Sequence, residues 1–231
     1  MVTTTRTDIR IDTKNVCRYL GYCSDCEPGA RISSLIEEYA EEAQHLMEPS
    51  YTYVFRDIEW VQGSCVFLAG SGSLLSNLVV FDSEVVAGLL SQCRKVAVLV
   101  VSIGDHLEDM VCRLSEDGLM LQASVLDAIG SEAVEKLADT VQNSIAGIAG
   151  DHGMVVSRRF SPGYCDWDVS QQLGVFRIVD GDSVGVKLTE TGLMVPRKSM
   201  SGIMGMGASD SGVREYNPCK TCDRSDCCGR R

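Results

Sequence analysis

Two short stretches of this 231-residue chain hold most of the side chains whose types and spacing could do chemistry. The first is Arg159-Phe160-Ser161-Pro162-Gly163-Tyr164. Arginine offers a planar fork for a carboxylate, glycine lets the backbone approach a ligand, and tyrosine offers an aromatic face. An amino-acid carboxylate joined to a cationic or adenine-bearing group suits that trio. The same residues also read as a plain strand entering a Pro-Gly turn, with Gly163 at positive φ and Tyr164 packed.

The second stretch is the cysteine-rich end, Cys219-x2-Cys222-x4-Cys227-Cys228. Four thiolates so close together can meet around zinc or an iron–sulfur cluster. The spacing fits no standard zinc or ferredoxin pattern. Adjacent Cys227 and Cys228 strain around one ion, so Cys23 or Cys26 is a candidate to complete the set. Thiol redox chemistry and a reduced tail without a role are the alternatives. Cys23-Ser24-Asp25-Cys26 lacks the strand–helix setting of a thioredoxin site. The eleven cysteines are an odd number, against a complete disulfide framework. Cys65, Cys93, Cys112 and Cys165, scattered among apolar residues, are expected to be small buried hydrophobes. His45, His106 and His152 have no metal or triad spacing.

Composition narrows the function classes. The formal charge of −11 and the lack of a cationic stripe disfavour nucleic acid and anionic membrane surfaces as partners. Met1 to Lys14 is polar and Thr-rich, unlike a secretory leader. Val96 to Val101, the longest apolar run, is too short to span a bilayer. A cytoplasmic protein is expected, with one domain over residues 1–216 and a cysteine-rich tail over 217–231.

The elements that must position these residues follow from periodicity. Arg31 to Met47 has apolar residues at helical spacing and ends at Pro49. Tyr51, Tyr53 and Phe55 alternate as in a half-buried strand, and Cys65 to Leu68 extends the sheet. Gly70-Ser71-Gly72 reads as a turn, without the ending of a phosphate loop. Asp82 is the expected cap of a helix through Val85 to Leu90. Val96 to Ser102 reads as a strand covered on both faces. Helices are expected from Asp105 to Ser115 and from Leu119 to Ile148, with Gly130 as a point of kinking. Met154 to Phe160, Val175 to Val179 and Val184 to Leu188 read as strands. Ser199 to Gly212, rich in Gly, Ser and Met, reads as a mobile or ligand-covering segment. The fold class is α+β, a mixed or antiparallel sheet flanked by helices.

Several of these motifs together resemble the activation domain of cobalamin-dependent methionine synthase in a stand-alone form. Arg-x-x-x-Gly-Tyr at 159–164 is similar to that family's S-adenosylmethionine motif. Gly185-Val186-Lys187-Leu188-Thr189-Glu190, then Met194, Pro196 and Ser199 to Gly202, follow in the family's order. Arg18-Tyr19-Leu20-Gly21-Tyr22, Ser102-Ile103-Gly104 and Asp127 to Ala133 resemble the stand-alone versions, so the likeness spans most of residues 15 to 206.

The resemblance implies that Arg159 contacts the carboxylate of S-adenosylmethionine while Ser161, Gly163 and Tyr164 line its bed. It puts Glu132 on a helix near the ligand's amino group, against the alternative of a solvated helix carboxylate. Tyr216 is the candidate for the family's later tyrosine, although a longer Gly/Met-rich segment precedes it. The implied function is to reactivate a separate corrinoid-dependent methyltransferase, with cobalamin supplied by that partner and electrons by a low-potential donor. The alternative is a metal- or iron–sulfur-binding redox adaptor for a corrinoid protein, without methyl transfer of its own.

Overall fold

In the computed structural model, which describes residues 2–4, 9–23, 26–69 and 78–220, strand β5 (Lys95–Ser102) sits between two cores. Ala97, Leu99 and Val101 enter one cluster, whereas Val96, Val98 and Val100 enter the other. Alternate side chains of a strand point to opposite faces, so a nearly unbroken apolar run is what two-sided burial requires. β5 pairs with β2 (Ser50–Gln62) on one side and β9 (Ser199–Ala208) on the other. Beyond β2 lie β3 (Cys65–Leu68) and β4 (Val79–Asp82), and beyond β9 lies β6 (Met154–Val156). β1 (Val2–Thr4) pairs with the start of β2, and every pairing in this seven-stranded sheet is antiparallel. A separate two-stranded ribbon joins β7 (Lys187–Leu188) to β8 (Met194–Val195).

Four helices cover one face: α1 (Thr13–Tyr19), α2 (Ala30–Leu46), α4 (His106–Glu116) and α5 (Met120–Asp151). The opposite face is covered by α3 (Glu84–Leu90), α6 (Gln172–Ile178) and the connections around them. Among the described residues no helix is long and apolar enough to cross a membrane.

The α+β class and the antiparallel sheet agree with the sequence, and several local expectations are corrected, among them the strand expected over Met154 to Phe160, which ends at Val156. Val175 to Val179 is helical, not extended. Its β-branched residues favour a strand, but Gln172, Val175 and Ile178 share one buried stripe at helical spacing. Val184 to Leu188 is a short 3-10 turn ending at Gly185, followed by the two residues of β7. Ser199 to Ala208 is no mobile cover: it is the buried strand β9, whose serines are satisfied by Ser102 and Gln172. Ser83, rather than Asp82, caps α3, its hydroxyl accepting from the Val86 amide at 3.0 Å.

Gly130 does not break α5, which is continuous for 32 residues. Its role is close approach, since a methyl group there would stand 2.7 Å from Leu107 and 3.1 Å from the Lys198 side chain. Lys198 crosses the helix at that point to reach Asp127 at 2.8 Å and Ser131 at 2.9 Å, tying α5 to the start of β9. The turn expected at Gly70 to Gly72 lies outside the described residues.

Candidate functional site

After β6 the chain returns to the sheet at Phe160, whose N–H and C=O both bond to Ile203 of β9, at 2.9 and 2.7 Å. Strand alternation then sends Phe160 into the α3–α6 side and Arg159 towards α5. Gly202 makes this possible. A Cβ there would lie 3.0 Å from both Arg159 Cγ and the Phe160 carbonyl. Ser161 then donates from Oγ to the Ser201 carbonyl at 2.6 Å, which fixes the strand's exit.

Arg159 meets three residues along one face of α5. Its Nη2 lies 2.7 Å from Glu135 Oε2, both Nη atoms lie 3.4 Å from Asp139 Oδ1, and Nη1 lies 3.4 Å from Gln142 Oε1. The Arg159 side chain is only 12% exposed, against 37% for Glu135 and 57% for Asp139. The short contact is therefore also the better shielded one. Glu132, one turn earlier on α5, is buried at 1% exposure. It accepts from Asn15 Nδ2 at 3.1 Å and has Lys136 Nζ at 3.5 Å, so it is not a solvated helix carboxylate.

The turn beyond Ser161 is held from behind. Gly163 has φ +95° and donates its N–H to the Trp167 carbonyl at 2.7 Å. Trp167 is buried, stacked on Phe160 with centroids 5.9 Å apart and edge-on to Phe81 at 5.0 Å. Its indole N–H donates to Gln171 at 3.1 Å. The Asp166 carboxylate accepts from the Ser83 hydroxyl and from the Glu84 and Val85 amides at the start of α3. These anchors leave Tyr164 projecting, 58% exposed. Beside it a shallow cavity of about 310 Å³ is lined by Gly163, Cys165, Asp166, Trp167, Asp168 and Val169. Asp168 is held below the usual carboxylate range by the Ser170 hydroxyl and amide, and so stays ionised in mildly acidic solution.

No protein-family model and no curated protein matches the sequence. Among solved structures, the crystal structure of the MetH reactivation domain bound to AdoHcy is similar. Its TM-score is 0.65 at 14% identity, covering 89% of this chain and 78% of that one. The fold is that of the MetH reactivation domain.

On this reactivation-domain fold the sequence-predicted residues do not all come together. Arg159 contacts Glu135 and Asp139, which sequence reasoning missed, and Ser161, Gly163 and Tyr164 follow it in the turn that leaves the sheet. Tyr216 lies elsewhere: its hydroxyl donates to the Val85 carbonyl at 2.8 Å and its ring packs over Gly88 of α3, on the sheet face opposite α5. Cys219 lies in a 3-10 turn after Tyr216, its amide donating to Asn217 Oδ1 at 2.9 Å. Cys222, Cys227 and Cys228 lie outside the described residues. Among the described residues no group of three or more His, Cys, Asp or Glu could hold a metal ion. Cys23 and Cys26 form a disulfide with each other, so in this state neither offers a thiolate to complete a metal set.

The scattered cysteines are also less buried than expected. Cys112 is exposed, Cys65, Cys93 and Cys165 are half-buried, and only Cys17 among those described is buried. Cys112 falls on the outer side of α4, where the apolar stripe of Leu107 and Leu114 faces inward.

Proposed function

We propose that the chain binds S-adenosylmethionine and supports reductive methylation of the cobalamin of a separate corrinoid-dependent methyltransferase such as methionine synthase. The observation that carries this reading is the Arg159–Glu135 pair set beside the exposed Gly163–Tyr164 turn. An α-amino acid presents a carboxylate and an ammonium on one carbon, and adjacent guanidinium and carboxylate groups match those two charges. Arg159 Nη1 makes only 3.4 Å contacts, so a ligand carboxylate can take it by displacing exposed Asp139. Glu135, and Glu132 beneath it, then favour the ammonium end. The similar MetH structure was solved with AdoHcy, which carries the same amino-acid head group.

S-Adenosylmethionine supplies an electrophilic methyl group, and a low-potential electron donor supplies the electron that makes the cobalt nucleophilic enough to accept it. The chain's own residues hold and aim. Arg159 and Glu135 fix the amino-acid end, Ser161 and Gly163 fix the backbone bed, and Tyr164 stands at its open rim. Such a shallow bed leaves the reacting end accessible to another protein. Catalysis by this chain is positioning, and no general base is required.

The test is to incubate a cob(II)alamin-loaded methyltransferase with this protein, methyl-labelled S-adenosylmethionine and a low-potential reductant. Methylcobalamin should accumulate faster than without this protein, and the rate should fall as salt rises because the chain carries −11. Failure of label to reach cobalt with any corrinoid protein of the same organism would overturn the reading. A redox adaptor is the second reading, favoured by one observation: the Cys23–Cys26 disulfide is exposed, where thiol exchange can reach it.

A further inference from the structure

We propose that the ring of Tyr19 is a cation platform at the edge of the Arg159–Glu135 pair, where it selects a positively charged sulfonium over the neutral thioether left after methyl transfer. The inference rests on the function proposed above and assigns that site a further specificity-determining residue.

The placement follows from how α1 packs on α5. Val16 is buried between them, and Asn15 reaches across to Glu132. Tyr19 stands four residues after Asn15 and so lies on the same face of α1, one turn further along. Glu135 stands three residues after Glu132 on the matching face of α5. The two steps put the phenol on the side of the carboxylate that Arg159 holds, near enough to feel its charge. Partial burial, then the charge of Glu135, and less strongly that of Glu132, push the Tyr19 hydroxyl above its usual range.

Tyr19 is not a core residue; its ring is 42% exposed. A cation already sits on it, with the Arg18 guanidinium carbon 5.7 Å from the ring centroid. Arg18 is itself exposed, so it can swing away without stranding a buried charge. Positive charge at this ring is favoured by the quadrupole of the aromatic face and, less strongly because Arg159 and Lys136 already pair with them, by the Glu135 and Glu132 carboxylates. An amino acid held at its head by Arg159 and Glu135 carries its sulfur only a short methylene chain away. A sulfonium there gains both attractions and a thioether gains neither. The used ligand therefore leaves more readily than the fresh one.

The experiment is calorimetric titration of the full chain with S-adenosylmethionine and, separately, S-adenosylhomocysteine. Wild type should prefer the sulfonium by about twofold to thirtyfold, the range to which cation–π attraction corresponds. Tyr19→Phe should keep that preference, because the ring supplies it, and Tyr19→Leu should abolish it. Arg18→Gln should tighten sulfonium binding by removing the resident cation. Loss of folding would weaken both ligands together and leave their ratio intact, so the ratio reads the ring. Tyr19→Leu that keeps the wild-type circular dichroism spectrum and an unchanged ratio, or Arg18→Gln with weaker sulfonium binding, overturns the inference alone. Wild type binding neither ligand overturns the proposed function and this inference with it.

Discussion

Arg159 Nη2 and Glu135 Oε2 stand 2.7 Å apart, one side chain from the extended segment that feeds the Gly163 turn and the other from the middle of α5. The pair joins the two elements that build the candidate site, and each partner is shielded enough for its charge to matter. Truncating Arg159 removes a charge-assisted contact to a ligand carboxylate. Arg159→Ala should therefore weaken S-adenosylmethionine by about 2 kcal/mol or more. Asp139→Ala should change it far less, since that carboxylate is longer in contact and more exposed. Calorimetry giving equal affinities for wild type and Arg159→Ala would remove Arg159 from the site.

Trp167 is the largest fully buried side chain behind the turn that carries Tyr164. Removing it leaves a cavity between Phe160 and Phe81 and deprives Gln171 of its indole donor. Trp167→Ala should cost about 3–5 kcal/mol of folding stability, as for other buried aromatic truncations. Urea unfolding followed by circular dichroism measures this. A cost below about 1 kcal/mol would show that the turn is not held from behind as described.

The central strand and the long helices were legible because each has one dominant signal. β5 is apolar on both faces, and α5 has Val125, Ile129, Leu137, Val141 and Ile145 at helical spacing, all buried. β9 was not legible, since Gly, Ser and Met are weak strand formers. Antiparallel pairing with β5 and β6, which local sequence does not reveal, makes it a strand, with Met204 and Met206 buried on the α5 side. Of the candidate site, the Arg159 to Tyr164 motif could be read locally. Its partner acid could not. Glu132 and Glu135 are three positions apart on one helix, and only the placement of α1 and Arg159 gives them different neighbours.

Cys93 packs against the backbone of α3, its thiol donating to the Leu89 carbonyl at 3.3 Å. Burial pushes that thiol from 9.0 up to about 12. It should react with iodoacetamide at neutral pH far more slowly than exposed Cys112, read by mass spectrometry of labelled peptides. The folded state keeps its proton where the unfolded state loses it, so this contribution is complete below the unfolded value and is lost as pH rises towards about 12. Cys93→Ala should flatten the fall of stability with pH above 9.0, and an unchanged slope would contradict the assignment.

In the tail, Cys219, Cys222, Cys227 and Cys228 fall within ten residues. Thiolates are the preferred ligands of soft metals, and their density here exceeds what an inert segment needs. The Cys23–Cys26 disulfide and its position after α1, on the α5 side of the sheet, separate that pair from Cys219, which follows Tyr216 on the α3 side. Any centre should therefore be built from the tail alone. Protein prepared without oxygen should bind zinc or an iron–sulfur cluster, and replacing Cys219 and Cys222 together with Ser should abolish it, whereas replacing Cys23 and Cys26 should not. Metal analysis and the visible spectrum report both variants. Less than about a tenth of an equivalent in wild type would sink the idea, because a site with several thiolates binds too tightly to be isolated empty.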